Sequence, residues 1–275
     1  MEQSMSNVPG PSGQRRQPST LGIGPSPGSV QEKYDLKELV GKGHHGEIYR
    51  AIRKADGQQF AIKSTTTELD NKVPRYPGLL PNEVAMMTLA RRPPSMQLPR
   101  LYEWFWDEEE TSDGENKKIM LVMEYFDSCQ TLEEFLKRNE DLDVWDARTV
   151  IRQIVKAGQE CLQRNICHYD MHDSNILVVE PFLSIRLVDF GRGKLMIPGK
   201  HPRTDTKISS SEAVNVTVSQ LFILIKEIAG HCSSIPAEFL AFVDNFYTLD
   251  EKEEDGILLP VEEILNHPWL KIKYQ

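Results

Sequence analysis

The chain has 275 residues, of which 39% are hydrophobic and 27% charged, and its formal net charge is −9. That length accommodates one domain of two lobes with a substantial core, and the composition is ordinary for a globular protein. The negative charge argues against broad binding to nucleic acids or anionic membranes, so we expect neither as a partner. It suits a basic partner, although such an excess more often marks only a solvated surface.

The four cysteines form no C-x-x-C pair, and no histidine accompanies them at zinc spacing. The N-terminus has no apolar signal core, and we read no run of membrane-spanning length. Reduced thiols are the simplest interpretation, which predicts a cytoplasmic protein, with the nucleus as the alternative. We expect a monomer.

The first 32 residues are dominated by Pro, Gly and Ser. Such a segment buries too little apolar surface to offset its ordering entropy, so we predict disorder over residues 1–32. Ser26 precedes a proline there and is a candidate phosphorylation site, although Ser-Pro also simply favours a turn. One domain is expected over residues 33–275, with an N-lobe over about 33–124 and a C-lobe over about 127–275.

Strands dominate the first half of this domain and helices the second. Three strands follow Tyr34, and Asp56-Gly57 marks a hairpin between two of them. A helix is predicted in LPNEVAMMTLARR with Asn82 as a candidate N-cap, followed by two strands around the acidic linker EEETSDGEN. Helical spacing recurs at about 131–138, at about 144–164, and in VNVTVSQLFILIKEIAG, PAEFLAFVDNFYTLD and VEEILNHPWLK.

Gly41, Gly43 and Gly46 form a G-x-G-x-x-G motif. Glycines let a tight turn bring backbone N–H groups against phosphates without Cβ clashes. The motif alone is weak, because a plain glycine-rich hairpin has the same appearance. A strand, EIYRAIRK, follows it where a dinucleotide-binding fold has a helix, which favours a loop covering phosphates between antiparallel strands.

Lys63, in FAIK, lies on the third predicted strand. A buried ammonium needs a partner, and nucleotide phosphates with Glu83 of the next helix would supply it. After the fifth strand ends at Met123, the backbone from Glu124 to Phe126 would face an adenine edge. Side chains that are candidates to line the nucleotide site, each of which could equally be plain core, are Val40, Ile48, Ala61, Met123 and Leu177.

The stretch ICHYDMHDSNIL places His168, Asp170 and Asn175 in an H-x-D-x-x-x-x-N frame, and Asp189 follows in a DFG triplet. Phosphoryl transfer from a nucleotide needs a carboxylate beside the attacking hydroxyl and oxygen ligands for magnesium. Asp170 would take the first role, whereas Asn175 and Asp189 would bind the metal. A lone Asp or Asn usually only caps a turn, but five ordered motifs at these spacings rarely co-occur by chance.

From about Tyr34 to Leu270 the chain resembles the eukaryotic protein kinases, and more narrowly the Pim-like serine/threonine kinases. The resemblance implies an α+β, two-lobed protein kinase-like fold, with an antiparallel β-sheet plus one helix in the N-lobe and a mainly helical C-lobe. It also implies ATP and Mg²⁺ as cofactors and protein hydroxyls as acceptors, and the family's use of basic peptides extends that expectation to this chain. The stretches that carry it are LPNEVAMMTLARRPP before LYEWF, MEYFDSCQTLEEFL, LVDFGRGKL and EEILNHPWL.

Several positions depart from the family pattern. Tyr169 replaces the arginine that usually follows the catalytic-loop histidine, so activation by a loop phosphate is not expected. His172 stands where a lysine usually lies near the γ-phosphate, and the shorter imidazole should stabilise less transition-state charge. His44 and His45 replace the usual residues at the glycine-loop tip. No A-P-E triplet precedes the apolar helix, which has Asn215 near the position of the family's aspartate.

Three functions fit these residues. The preferred one is a divergent, Pim-like, non-specific serine/threonine protein kinase that retains catalysis, at a full or a reduced rate, with Asp170, Lys63, Glu83 and His172 as catalytic residues. The second is a pseudokinase scaffold, because Tyr169, His172 and the short run of about twenty residues between the DFG triplet and the apolar helix depart from the family. The third is a small-molecule phosphotransferase, since H-x-D-x-H-x-x-N is similar to choline and aminoglycoside phosphotransferases. The glycine loop and the HPW ending argue against the third.

Overall fold

The computed structural model describes residues 24–43, 46–68, 72–73, 80–107, 116–199, 204–248 and 261–271. His44, His45 and most of the acidic linker lie outside these ranges. The N-lobe elements, in chain order, are α1 (Val30–Lys33), β1 (Tyr34–Gly43), β2 (Gly46–Arg53), β3 (Gln59–Glu68), β4 (Lys72–Val73), β5 (Leu80–Pro81), α2 (Asn82–Ala90), β6 (Leu101–Trp106) and β7 (Asn116–Glu124).

Five of these strands form one antiparallel sheet in the order β1-β2-β3-β7-β6. Successive side chains of a strand point to opposite faces, and both faces are buried. Leu121 and Trp104 belong to the large core shared with α2. Phe60, Phe105 and Val122 form a second, smaller core on the outer face. The sheet therefore stands between two apolar layers.

The segment before β1 differs from its prediction. Disorder is predicted over residues 1–32, of which residues 1–23 lie outside the described ranges. Residues 24–32 pack onto the N-lobe: Val30 is buried in the outer-face core, and the Ser26 amide donates to the Trp104 carbonyl at 2.8 Å. Composition is misleading here because a few specific contacts, rather than a high apolar content, hold the segment.

The C-lobe begins with β8 (Cys129–Thr131). The elements that follow are α3 (Leu132–Arg138), α4 (Val144–Gln163), β9 (Ile166–Cys167), β10 (Ile176–Val179), β11 (Ser184–Leu187), β12 (Lys194–Ile197), β13 (Lys207–Ser209), α5 (Ser210–Gly230), α6 (Ala237–Thr248), α7 (Val261–Asn266) and α8 (Pro268–Lys271). Helix α3 is one residue shorter than predicted, because Thr131 is its N-cap and forms a capping box with Glu134.

The long helix α5 is the centre of the C-lobe. Its length and apolar composition would suffice to cross a membrane, which corrects the expectation that the sequence holds no such run. In the fold, however, α5 packs on α4, α6 and β9. Gly158 of α4 permits the close approach, since a Cβ there would lie 3.1 Å from Thr217 Cγ2. Its apolar composition therefore serves the core of the C-lobe.

Candidate active site

Two carboxylates, one from each lobe, contact the ammonium of Lys63. Lys63 lies on β3, Glu83 in the first turn of α2, and Asp189 shortly after β11. Lys63 Nζ is 2.8 Å from Glu83 Oε1 and 2.9 Å from Asp189 Oδ1. The side chains of Lys63 and Glu83 are only 4% and 7% exposed. The pair predicted from the sequence is thus in contact, and it extends to the DFG aspartate.

The charge of Lys63 is maintained by these two carboxylates. Burial acts to lower the pKa of the ammonium, but the charges of Glu83 and Asp189 outweigh it and hold that pKa above its ordinary value. A buried cation without such partners would strongly destabilise the fold. The site therefore contains a fixed positive charge, held between two lobes, of the kind that binds phosphate groups.

Asn82 is a second link between α2 and the segment after the DFG triplet. The prediction that it caps α2 is wrong, because the N-cap is Pro81, which makes no side-chain cap hydrogen bond. The buried Asn82 Nδ2 instead donates to the carbonyls of Gly193, at 2.8 Å, and Gly191, at 3.3 Å. Sequence reasoning placed Asn82 correctly at the helix start, but it had no signal for a partner more than 100 residues away.

Asn175 organises the loop that carries Asp170. Its Nδ2 donates to the Asp170 carbonyl at 3.0 Å and to Asp170 Oδ2 at 3.2 Å. The same nitrogen lies 2.9 Å from His172 Nε2. With Nδ2 turned inward, the amide oxygen of Asn175 is the atom available to a metal ion.

His172 and Arg192 lie on either side of the Asp170 carboxylate. The His172 side chain is 48% exposed, and its Nε2 is 3.7 Å from Asp170 Oδ2. Arg192 Nη1 is 3.4 Å from Asp170 Oδ1, and the Arg192 side chain is 56% exposed. Sequence reasoning missed Arg192, although its position directly after the DFG triplet was a usable signal.

His168 contacts Val188 and Phe190, the residues on either side of Asp189. Its Nε2 donates to the Val188 carbonyl at 3.0 Å, and its ring packs edge-on against Phe190 with centroids 4.8 Å apart. Burial lowers the pKa of His168 to about 4. The ring is therefore neutral at pH 7 and joins the catalytic loop to the DFG triplet.

Of the three glycines in the loop motif, Gly46 is the one whose position demands glycine. Its φ is +122°, and a Cβ there would lie 2.1 Å from the Ser64 carbonyl oxygen. A Cβ at Gly43 would meet nothing within 4 Å, and one at Gly41 would make ordinary contacts with Ile48. Gly46 therefore fixes the close packing of β2 on β3.

The candidate nucleotide-lining residues share the face of the sheet that carries Lys63. Ile48 pairs with Lys63 across β2 and β3, and Ala61 pairs with Met123 across β3 and β7. Directly opposite residues of antiparallel strands point to the same face. Ile48, Ala61 and Met123 are also partly exposed, unlike the buried Leu121 in the same sheet. A ligand on this face would complete their burial.

The other predicted nucleotide contacts differ from one another in exposure and in bonding. Val40 is 48% exposed on β1, and Leu177 is partly buried on β10. The Arg186 guanidinium lies 4.8 Å from the Phe126 ring centroid. The Glu124 amide donates to the Arg100 carbonyl at 3.0 Å, so that group of the predicted adenine edge is already bonded within the protein.

The segment after the DFG triplet is built into a small sheet. β12 pairs antiparallel with β9 and parallel with β13. Lys194 Nζ lies 4.5 Å from the centroid of the Tyr169 ring and donates to the Thr204 carbonyl at 2.9 Å. The Met171 amide donates to Gln220 Oε1 of α5 at 3.3 Å. These contacts join the segment and the catalytic loop to the C-lobe core.

A cluster of carboxylates lies beside the catalytic loop. Ser174 Oγ donates to Glu133 Oε2 of α3 at 2.9 Å, and His172 Nδ1 is 3.7 Å from Asp173 Oδ1. Burial first, and then the neighbouring Asp173 and Glu133, raise the pKa of Glu227 on α5. Acidic groups from three elements thus converge beside the catalytic loop, an arrangement that attracts cationic ligands.

Comparison with known proteins agrees with this geometry. The model of the protein kinase domain family matches residues 34–214. Serine/threonine-protein kinase pim-2 of Danio rerio is 27% identical over 226 residues, which cover 76% of this chain and 70% of that protein. Serine/threonine-protein kinase prk-2 of Caenorhabditis elegans is 29% identical over 167 residues, 60% of this chain.

NUAK family SNF1-like kinase 2 of Rattus norvegicus is 30% identical over 178 residues, 64% of this chain. The chain spans only 36% of the length of prk-2 and 26% of that of the NUAK kinase. All three relatives are protein kinases, and the family model covers well over half of the chain. The chain therefore belongs to the eukaryotic protein kinase family and is similar to its Pim-like serine/threonine members.

Proposed function

We propose that the chain is an active serine/threonine protein kinase that transfers the γ-phosphoryl group of Mg-ATP to hydroxyls in basic peptides. The observation that carries this proposal is the contact of Lys63 with both Glu83 and Asp189. Phosphoryl transfer relies mainly on positioning and on electrostatic stabilisation, so joining these groups across two lobes is its principal structural requirement.

The residues present fit magnesium and a nucleotide. Lys63 would hold nucleotide phosphates, and the Asn175 amide oxygen with the Asp189 carboxylate would hold Mg²⁺, which prefers oxygen ligands. Within the described ranges, no three His, Cys, Asp or Glu side chains form a metal site by themselves. The remaining ligands would then be phosphate oxygens and water, as is usual for magnesium. When bound, the ion would neutralise charge on the phosphates.

Asp170 is the candidate group for the acceptor hydroxyl. Its carboxylate would orient the hydroxyl and accept its proton as the oxygen bonds to the γ-phosphorus and the bond to the β-phosphate oxygen breaks. Asn175 holds that carboxylate from one side, and Arg192 approaches it from the other. His172, bonded to Asn175, would leave less positive charge at the γ-phosphate than a lysine does.

The preference for basic peptides is supported by the carboxylates of Glu133, Asp173 and Glu227. They come from α3, from the loop between β9 and β10, and from α5, and each lies near the loop that bears Asp170. A basic side chain next to the acceptor residue would relieve the repulsion between Asp173 and Glu227, whereas Glu133 is already paired with Lys137. We expect Glu227→Gln with Asp173→Asn to raise the KM for an arginine-rich peptide and to leave the KM for ATP unchanged.

The direct test is transfer of labelled phosphate from Mg-ATP to an arginine-rich peptide. Asp170→Asn should lower kcat by about 10²- to 10⁴-fold, the usual contribution of a general base. Lys63→Met and Asp189→Asn should abolish transfer. Asp244→Asn is the matched control, because Asp244 pairs with Lys226 on the exposed surface of the C-lobe. Transfer that persists unchanged in Asp170→Asn would refute the role of that residue.

The second candidate is a pseudokinase, favoured by the His172–Asn175 hydrogen bond where the family has a lysine. A pseudokinase would gain thermal stability from Mg-ATP but release no ADP with any peptide. Turnover that disappears in the Lys63→Met variant would decide for the kinase. Stabilisation by nucleotide without turnover would decide for the scaffold.

A further inference from the structure

A polar cluster around Glu103 holds residues 24–33 on the N-lobe. Glu103, on β6, accepts hydrogen bonds from Ser26 Oγ at 2.5 Å, from Tyr34 Oη at 2.5 Å and from Lys33 Nζ at 2.9 Å. These bonds keep the pKa of Glu103 below its ordinary value although burial acts in the opposite direction. The carboxylate is therefore ionised, and Lys33 balances its charge.

Further contacts make residues 24–33 a cover for the outer face of the sheet. The Ser26 amide extends the hydrogen bonding of β6 through the Trp104 carbonyl, at 2.8 Å. Val30, at 2% exposure, packs with Phe105 and Tyr34 in the outer-face core. Lys54 Nζ donates to the Gln31 carbonyl at 2.8 Å. We call residues 24–33 the N-terminal cover.

The serine in this cluster stands in the sequence Pro25-Ser26-Pro27. Pro25 and Pro27 are exposed, and Ser26 is partly exposed. A serine followed by proline is the local pattern that a proline-directed protein kinase accepts. We propose that Ser26 is a phosphorylation site for a kinase of that class, and that the phosphate releases the N-terminal cover from the sheet. In the reaction, Ser26 Oγ loses its proton and bonds to the γ-phosphorus of ATP, and ADP leaves.

Electrostatics is the reason for release. A phosphoserine carries a charge of about −1.5 to −2 at pH 7. Ser26 Oγ is already at hydrogen-bond distance from the Glu103 carboxylate, so the new charge would lie against an existing anion. The two cations nearby already have carboxylate partners. Lys33 is paired with Glu103, and Arg53 is bonded to Asp56 through two nitrogens. The cluster would change from nearly neutral to strongly negative.

Modification and docking are therefore mutually exclusive. In the docked state the Ser26 hydroxyl is bonded to Glu103 and its amide to Trp104. A modifying kinase needs that hydroxyl free, so it acts on the undocked population, and the phosphate then prevents return. Weaker docking should accordingly speed modification. Val30→Ala, which removes a buried apolar anchor without touching Ser26, should raise the initial rate of Ser26 phosphorylation.

The test uses the full chain in an Asp170→Asn background, in which self-phosphorylation is strongly slowed. A mitogen-activated-type, proline-directed kinase and ATP are added, and the modified residue is mapped by mass spectrometry. We expect Ser26 to be labelled and Pro27→Ala to remain unlabelled. Amide hydrogen exchange over residues 26–33 should then become about tenfold faster, because the hydrogen bonds of the cover are lost.

Two variants separate charge at this site from charge in general. Ser26→Glu should reproduce faster exchange over residues 26–33, whereas Ser29→Glu, with the same charge three residues away, should not. Glu103→Gln removes the opposing anion, so the phosphorylated Glu103→Gln chain should keep more protection than the phosphorylated parent. If the kinase labels an isolated peptide of residues 18–34 but not Ser26 in the chain, the site is refuted. Labelling with unchanged exchange would refute the release.

Discussion

The ammonium of Lys194 lies 4.5 Å from the centre of the Tyr169 ring, and it also donates to the Thr204 carbonyl. Tyr169 occupies the position at which protein kinases usually carry an arginine. That arginine binds a phosphate on the activation segment, whereas here the segment supplies the cation and the catalytic loop supplies an aromatic ring. The chain thus joins the two segments without a phosphate.

We expect Lys194→Met to lower the free energy of unfolding by about 2 kcal/mol, because a desolvated cation–π contact and a charged hydrogen bond are both lost. Peptide phosphorylation should slow several-fold while the KM for ATP stays unchanged. Tyr169→Phe keeps the ring and should resemble the parent, whereas Tyr169→Leu should resemble Lys194→Met. Equal activity of all three variants would show that the contact does not position the segment.

Asn82 offers a test of the link between α2 and the DFG segment. Asn82→Ala leaves two carbonyls, of Gly191 and Gly193, without their donor, which should cost about 1–3 kcal/mol of stability. It should also lower kcat/KM for ATP, because Glu83 lies next to Asn82 on α2. Chemical denaturation and steady-state kinetics measure the two effects.

The matched control is Asn139→Ala, in which a side-chain amide bonded to the Phe135 carbonyl at 2.7 Å is removed from the C-lobe. Asn139→Ala should lower stability and leave kcat/KM for ATP unchanged. If both variants lose catalysis equally, the Asn82 contact has no particular role in the site.

His168 predicts a specific acid sensitivity. The folded state holds its pKa at about 4, below the ordinary 6.5, because burial disfavours the charged form. This depressed pKa means that the unfolded chain takes up the proton first. The stability that follows from keeping His168 neutral is therefore fully present above pH 6.5. It is lost as the pH falls toward 4, by about 3 kcal/mol in total.

His168→Phe keeps the ring packing on Phe190 but cannot be protonated. We expect this variant to be less stable by about 1 kcal/mol at pH 7, where the bond to the Val188 carbonyl is lost. Its stability should fall less between pH 6.5 and pH 4 than that of the parent. Urea denaturation at several pH values measures this difference, and parallel curves for both proteins would contradict the assignment.

Replacing His172 with lysine is expected to raise the rate of phosphoryl transfer. His172→Lys replaces a short imidazole with a longer cation, which can reach the γ-phosphate and stabilise its transition-state charge. We expect kcat to rise by about tenfold with little change in the KM for the peptide. His172→Gln is the control, since it has no positive charge. An unchanged or lower kcat in His172→Lys would show that the position does not limit the rate.

Local patterns in the sequence predicted most of the strands and helices, and the resemblance to protein kinases implied the fold class. Strand patterns around the glycine motif and before Glu124 predict five strands, and helical spacing predicts the helices of the second half. The two-lobed kinase fold is confirmed. The pairing of Lys63 with Glu83 was likewise predictable, because a buried lysine on a strand requires a carboxylate and the next helix offers one.

Contacts between residues distant in the chain were decided by the tertiary structure alone. The sequence predicts a helix cap at Asn82 and disorder over the N-terminal cover, and it assigns no role to Arg192. Each of these differs from the structure because the contacts depend on a partner in another element. Propensity and spacing report only on neighbours along the chain. Hydrogen bonds from Asn82 to Gly193 or from Ser26 to Glu103 form only when packing of the sheet and the lobes brings those groups together.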